Sequence, residues 1–176
     1  MIYTHIWESK PFLKQLYRMA RLADKKSYDW SVNVPEMEKH KFIRFQIRDV
    51  IASKGLHVAN IISAGFHTSL RNAFAHSEYE FNNTYRYIHL DTFKGDTTWD
   101  IENIAFDDWT KRFAYSALLS YHFLNIRHKK RTELIKDFGK DEFLIIHPIN
   151  ERSFRCIKIY YDEEHDNFSF YRRKKY

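Results

Sequence analysis

Apolar residues recur at helical spacing through most of the first two thirds of the chain. The first run follows Ser9 and Pro11, which together favour the start of a helix, and it continues to about residue 25. Its apolar side chains share one helical face, formed by Phe12, Leu13, Leu16, Tyr17, Ala20 and Ala23. The spacing therefore predicts an amphipathic helix, whereas we expect residues 1–8 to form a short strand or an extended arm.

A second and a third run lie on either side of Gly55, and glycine is common where a helix ends in the left-handed conformation. The second run opens at Glu36, and its apolar stripe consists of Phe42, Ile43, Ile47, Val50 and Ile51. The third covers residues 56–75, and its apolar stripe consists of Ala59, Ile62, Phe66, Leu70 and Ala73. The pattern predicts two helices in a helical hairpin or a kinked pair, the second of which belongs to the core.

Two parts of the chain alternate with a period of two instead. Residues 85–90 and 99–104 flank a KGDTT turn, so we expect them to form a β-hairpin insertion between helices. Three further strand-like runs lie between residues 142 and 172 and predict a small antiparallel sheet.

The run between these two β regions, residues 109–126, is apolar on most faces from Phe113 onward. A helix of this kind is typical of the middle of a bundle, so we expect it to be buried. The best partners for it are Ile62, Phe66 and Leu70 of the third run.

These elements predict a mainly helical protein that is α+β overall. We expect one domain over residues 1–176, with a helical core at about 9–131 and a C-terminal β appendage at about 141–176. The length is sufficient for a substantial core, and the chain has 44% hydrophobic residues with only 4 Gly and 3 Pro, which is typical of globular proteins.

Charge and cysteine content narrow the functional classes. The net charge of +6 favours a polyanionic partner, although an ordinary basic protein has the same balance. The single cysteine, Cys156, excludes an internal disulfide, and no histidine pair has the spacing of a metal site. With no signal peptide or apolar run of membrane-spanning length, we expect a cytoplasmic protein with no membrane contact.

Polar residues gather where the third helix should end, namely Arg71, Asn72, His76, Ser77 and Tyr79. A guanidinium suits phosphate, and an imidazole exchanges protons near neutral pH, so the cluster fits work on a phosphodiester. The helix dipole also favours arginine and histidine at a helix C-terminus, which leaves a purely structural explanation open.

The segment LRNAFAHSEYEF, with Arg-x4-His at the end of an amphipathic helix, resembles the motif of HEPN domains. Many members of this family are metal-independent ribonucleases of toxin–antitoxin and abortive-infection systems. The likeness covers roughly residues 36–130, since a charged helix precedes the motif and a β-rich insertion and a long apolar helix follow it.

The resemblance implies a HEPN-like helical bundle that acts as a homodimer, with a composite cleft between two protomers. It implies catalytic roles for Arg71 and His76 and supporting, RNA-binding roles for Asn72, Ser77 and Tyr79. RNA would be the substrate and an antitoxin protein a further partner, with no cofactor and no metal.

Two functions stay open. The first is an endoribonuclease of toxin or phage-defence type that cleaves RNA by attack of the 2′-hydroxyl. The second is a non-catalytic HEPN module that binds RNA, a nucleotide or a partner protein. Five residues along an ideal helix separate Arg71 and His76 by about 140°, so we expect His76 at a helix end where it can turn.

Overall fold

Helices dominate the chain and two small antiparallel sheets accompany them, so the fold is α+β. The computed structural model describes residues 2–27, 29, 31–95, 97, 100–139, 142–150 and 153–171. The chain divides into two units, Met1–His122 and Phe123–Tyr176.

The helical elements within the described ranges are α1 (Ile2–Glu8), α2 (Lys10–Ala23), α3 (Lys39–Lys41), a π-helical segment (Phe42–Arg48), α4 (Asp49–Ser53), α5 (Val58–Gly65), α6 (Thr68–His76) and α7 (Phe106–Phe138). One sheet contains β1 (Tyr79–Asn82), β2 (Tyr87–Leu90) and β3 (Asn103–Ala105) in that order. The other contains β4 (Phe143–Asn150), β5 (Ser153–Asp162) and β6 (Asn167–Phe170), also in chain order.

The prediction of a strand or an extended arm at residues 1–8 is wrong, because this segment forms helix α1. Tyr3, Ile6 and Trp7 have the i, i+3, i+4 spacing that places side chains on one helical face, and all three are buried. Burial of this aromatic face in the first unit outweighs the strand preference of the short sequence.

The amphipathic helix predicted after Ser9 is confirmed as α2. The hydroxyl of Ser9 accepts a hydrogen bond from the backbone N–H of Phe12 (3.4 Å), and Pro11 lies in the first turn. The buried positions of its predicted stripe are Phe12, Leu13, Leu16 and Ala20.

The second predicted helix is confirmed, but it is divided into α3, the π-helical segment and α4. It begins at Lys39 rather than Glu36, because Glu38 has a left-handed backbone (φ 55°). Its N–H groups reach five residues back in the π-helical segment, where Asp49 donates to the carbonyl of Arg44. Gly55 follows its end with φ 69°, in agreement with the predicted stop.

The predicted helix over residues 56–75 is interrupted and forms two helices, α5 and α6. The hydroxyl of Tyr3 lies at the interruption, where it donates to the carbonyl of Gly65 (3.1 Å) and accepts from the N–H of His67 (2.9 Å). These bonds satisfy backbone groups that a continuous helix would have paired internally. The apolar stripe itself is confirmed as buried, at Ala59, Ile62, Phe66, Leu70 and Ala73.

The β insertion is a three-stranded meander rather than a two-stranded hairpin. The strand β2 lies inside the predicted range 85–90, while β1 precedes the range in which we predicted strands. The other predicted strand starts at Trp99, which lies outside the described residues, and the observed β3 is shorter. Asp100 explains part of this, because its carboxylate accepts hydrogen bonds from the backbone of Lys94 (3.0 Å) and Gly95 (3.3 Å) and so holds a loop together.

The prediction that residues 109–126 are buried is wrong. In this part of α7 only Ser116 and Leu119 are buried, whereas Leu118 is 54% and Tyr121 is 60% exposed. The contact with α5 is made through small residues, since a Cβ on Gly65 would lie 2.8 Å from the hydroxyl oxygen of Ser116. The indole N–H of Trp7 donates to the same oxygen (3.0 Å). One close contact of this kind buries one side of the helix and leaves its other apolar side chains exposed.

In the second unit, the three predicted C-terminal strands are confirmed as an antiparallel sheet. The ring of Phe143 on β4 packs edge-on against that of Phe168 on β6 (4.9 Å between centroids). An ion pair between Arg131 and Asp166 joins the end of α7 to the β5–β6 turn within the same unit.

Candidate functional site

The polar motif lies at the C-terminal end of α6, which stops at His76. Ser77 adopts a left-handed backbone (φ 58°), and the N–H of Glu78 donates to the carbonyl of Ala73 (2.9 Å). This is the usual hydrogen bond of a helix that ends in the left-handed conformation. His76 is therefore the last helical residue, as predicted, and its imidazole is exposed.

The guanidinium of Arg71 is oriented by two acceptors. Its Nε donates to the carboxylate of Glu8, and its Nη1 donates to the side-chain oxygen of Asn72 (2.8 Å). The side chain is 20% exposed. Since Nη2 makes no hydrogen bond to the described residues, the donors on that nitrogen are free to bind a phosphate oxygen.

Glu8 is a site residue that sequence reasoning missed. Its second carboxylate oxygen binds the ammonium of Lys39, which is 10% exposed, so Glu8 connects α1 with both α3 and α6. Burial raises the pKa of the Glu8 carboxyl, but hydrogen bonds from Arg71 and Lys39 outweigh burial and leave the pKa below its usual value. The sequence carries no local signal for this role, because the pattern at residues 1–8 predicts a strand or an arm and Glu8 lies 63 positions from Arg71.

His40 and Arg44 extend the site along the α3 and π-helical segments, four residues apart. Burial lowers the pKa of His40, and the positive charges of Arg44 and Arg71 lower it further. His40 therefore lies within electrostatic range of both guanidiniums and favours its neutral form near pH 7.

His67 lies at the opposite end of α6, immediately before its first residue. Burial, reinforced by Arg112 and Arg44, lowers its pKa to about 4. Its Nδ1 is buried and has no hydrogen-bond partner in the described part of the chain. Arg112 is held nearby, where it donates to the carbonyl of Ala64 (3.3 Å). Three imidazoles and three guanidiniums thus gather around α6, although the sequence pattern singled out only His76 and Arg71.

The predicted site residues are brought together only in part. Arg71 and Asn72 are bonded to each other, but the imidazole of His76 has no hydrogen-bond partner among the described residues. Because α6 is helical throughout, Arg71 and His76 point about 140° apart. Ser77 serves as the left-handed C-cap, and the ring of Tyr79 packs on Phe74 (4.6 Å between centroids).

A group of potential metal ligands occurs in the second unit, at the β5–β6 turn. Ligand atoms of Asp162, Glu164 and His165 lie within 4.8 Å of one another. Hydrogen bonds of the turn account for this arrangement, since Asp162 accepts from the N–H of Glu164 (3.1 Å) and pairs with the ring of His165 (3.0 Å).

Comparisons of the chain with protein-family models, characterised proteins and solved structures found no match. The resemblance to HEPN domains therefore depends on the motif residues of α6 and their helical context. A search of the described helices found none whose length and apolarity would let it cross a membrane.

Proposed function

We propose that the chain is a metal-independent endoribonuclease of the HEPN type, acting as a toxin or phage-defence effector. The observation that supports this most is the placement of Arg71 and His76 on one helix, α6. The guanidinium is oriented by Glu8 and Asn72, and the imidazole is exposed at the helix end. Such a pair provides a phosphate ligand and a proton-transfer group, which the reaction requires.

The proposed reaction begins when the ribose 2′-oxygen attacks the adjacent phosphorus. A base takes the 2′-hydroxyl proton as the 2′-oxygen–phosphorus bond forms, and an acid protonates the 5′-oxygen as its bond to phosphorus breaks. The products are a 2′,3′-cyclic phosphate and a 5′-hydroxyl. Arg71 stabilises the negative charge of the five-coordinate phosphorus, and His76 transfers a proton.

A homodimer would complete this set of groups. Within one chain Arg71 and His76 point in different directions, so a second copy could place its own histidine beside the first copy's arginine. Two histidines, one from each protomer, would then serve as base and acid. The exposed apolar side chains Leu118 and Tyr121 on α7 also support self-association.

A second candidate function is RNA binding without cleavage. The Glu8–Arg71 ion pair favours it, because a carboxylate on the guanidinium offsets part of the charge that would stabilise a transition state. This contact equally orients the arginine, so the two functions are separated by experiment.

The test is cleavage of single-stranded RNA by the purified protein in EDTA. We expect a 2′,3′-cyclic phosphate product, intact DNA, and roughly a 10²-fold or larger loss of rate in His76→Ala. Arg71→Ala should lose both cleavage and RNA affinity, whereas His76→Ala should keep its affinity and its circular dichroism spectrum. His57→Ala is the matched control, because His57 is also exposed but lies outside α6.

Three outcomes would reject the nuclease. They are a requirement for Mg²⁺, full activity of His76→Ala, and an equal loss of activity in His57→Ala and His76→Ala. RNA that is bound through Arg71 but never cut would support the binding module instead.

A further inference from the structure

A pocket of about 390 Å³ opens on the surface of the first unit, between α5, β3 and α7. Its apolar side chains are Ala64, Ile101, Ile104 and Ala105. Its polar side chains are Asn103, Asp108, Lys111, Arg112 and Tyr115. An aromatic ring, two cations and an amide around a small apolar floor are groups that bind a nucleotide, and the one carboxylate in the lining, Asp108, is paired with Lys111.

We propose that this pocket binds one unpaired nucleotide of an RNA strand, with the base stacked on Tyr115 and a backbone phosphate at Lys111 and Arg112. This inference rests on the proposed function, because it assumes that the protein cleaves RNA. It adds that the RNA is bound as a single strand.

The aromatic ring comes from Tyr115 on α7, which is 46% exposed. Lys111 and Arg112 precede it by four and three residues, so the ring and both cations lie on one side of the helix. A base that stacks on the ring therefore has a phosphate-binding group one helical turn away. Stacking of this kind requires an unpaired base, because the faces of a base in a duplex are already covered.

Both cations are available to bind a phosphate. Lys111 pairs with Asp108 at 3.3 Å, but both side chains are largely exposed, so this pair is weak and exchanges readily. Arg112 is anchored by the bond from its Nη1 to the carbonyl of Ala64 (3.3 Å), which keeps the guanidinium at the pocket. A fixed guanidinium binds phosphate with less loss of conformational entropy than a mobile one.

Asn103 supplies a hydrogen-bonding amide at the edge of the pocket. Its side-chain oxygen is bonded to Nδ1 of His89 (3.0 Å), which fixes the amide at the pocket and leaves its NH₂ group for an acceptor on a base. One amide of this kind distinguishes bases weakly, so the pocket selects unpaired RNA and not a particular sequence.

The pocket and the motif are connected by α6. Ala64, which lines the pocket, lies four residues before the start of α6, whereas His76 ends α6. The nine residues of α6 span about 13 Å, a length that a few nucleotides of an extended strand can cover. The proposal therefore requires a strand long enough to extend from the pocket along α6 to His76.

The test measures the affinity of the whole chain for a labelled 2′-O-methyl oligoribonucleotide, which cannot undergo attack by the 2′-oxygen. Tyr115→Ala should bind the single strand roughly 5- to 100-fold more weakly, and Tyr115→Phe should stay within about twofold because it keeps the ring. Lys111→Ala should lower the slope of log affinity against log salt by about one. Tyr85→Ala, which removes an exposed tyrosine on the β1–β2 turn outside the pocket, should bind normally.

Three results would overturn the proposal that the pocket binds RNA. They are equal losses in Tyr115→Ala and Tyr85→Ala, a duplex that binds as tightly as the single strand, and a free mononucleotide that binds as tightly as the oligonucleotide. The experiments distinguish a failure of the pocket proposal from a failure of the proposed nuclease function. Intact binding by Tyr115→Ala with cleavage that needs His76 would reject the pocket alone, whereas lost binding with cleavage that ignores His76 would reject the nuclease alone.

Discussion

Glu8 accepts a hydrogen bond from Arg71, although the two residues lie on different helices and are 63 positions apart. The same carboxylate binds Lys39, so the guanidinium at the centre of the motif is held by a residue outside the motif. The position of the arginine is therefore set by how α1 packs, and not by α6 alone.

Glu8→Gln should separate the effect of Glu8 on the orientation of Arg71 from the effect of its negative charge. The amide keeps the size of the side chain but binds a guanidinium more weakly, so Arg71 becomes mobile and we expect RNA cleavage to slow roughly 10- to 100-fold. RNA affinity should hold or rise, because one negative charge leaves the site. Initial rates and affinities measured at one salt concentration check this.

The control for Glu8 is Glu36→Gln, which removes a carboxylate paired with Lys10 at an exposed position. We expect no change of rate in this variant. A Glu8→Gln protein that cleaves at the wild-type rate would show that Glu8 does not position Arg71.

Tyr3→Phe should destabilise the first unit. The hydroxyl that is lost bonds both Gly65 and His67 at the interruption between α5 and α6, and without it two backbone groups lose their partner. Groups of this kind cost about 1–3 kcal/mol when buried and unsatisfied. Urea unfolding would measure the loss.

Tyr17→Phe is the matched control for Tyr3→Phe. Its hydroxyl makes no hydrogen bond to the described residues, and its ring contact with Phe42 (5.0 Å between centroids) is kept. We expect a change within about 0.5 kcal/mol, as for most substitutions that disturb no specific contact. Equal losses in the two variants would contradict a bridging role for Tyr3.

The first unit should lose stability as the pH falls, in part through His67. Its folded pKa of about 4 lies below the ordinary histidine value of about 6.5, so between these pH values the unfolded chain binds a proton that the folded chain does not. The free energy of unfolding should therefore fall as the pH decreases through this window, with at most about 3 kcal/mol due to His67. Arg44, Arg112 and Asp100 face this ring, and the cations oppose its protonation.

His67→Gln should show a weaker pH dependence of unfolding than the wild type between about pH 6.5 and pH 4. His57→Gln removes an exposed histidine and should keep the wild-type dependence. Denaturant unfolding at several pH values gives the comparison, and parallel curves for all three proteins would show that His67 is not the group responsible.

Mixing wild-type and His76→Ala chains tests whether the histidines of both protomers serve one site. A refolded equimolar mixture of this kind contains about one quarter wild-type dimers and one half mixed dimers. If the base and the acid come from different protomers, only the wild-type dimers cleave at the full rate, so the mixture should keep about a quarter of the wild-type rate. A mixture that keeps about half of the wild-type rate while sedimentation shows dimers would place a complete site in each chain.

The elements that depend on neighbouring residues could be predicted from sequence. Helix α2 follows from Ser9, Pro11 and an apolar stripe that all lie within fifteen residues. The stop at Gly55 follows from one residue with a positive φ. Such signals are local, so the sequence alone contains the information.

The remaining features depend on contacts between distant parts of the chain. The interruption at His67 requires the hydroxyl of Tyr3, and the orientation of Arg71 requires Glu8, and neither pair has a local signal. The apolar pattern also could not predict that α7 is exposed, because periodicity shows which residues are apolar and not whether a neighbour covers them.

The contact of α1 with a residue far along the chain also affects the timing of folding during synthesis. Trp7 leaves the ribosome 109 residues ahead of its hydrogen-bond partner Ser116, and at 5–20 residues per second this takes about 5–20 s. Until Ser116 is made, the indole N–H of Trp7 has no such partner, and Gly65 has no α7 to pack against. The first unit can therefore complete its packing only after about two thirds of the chain has been synthesised.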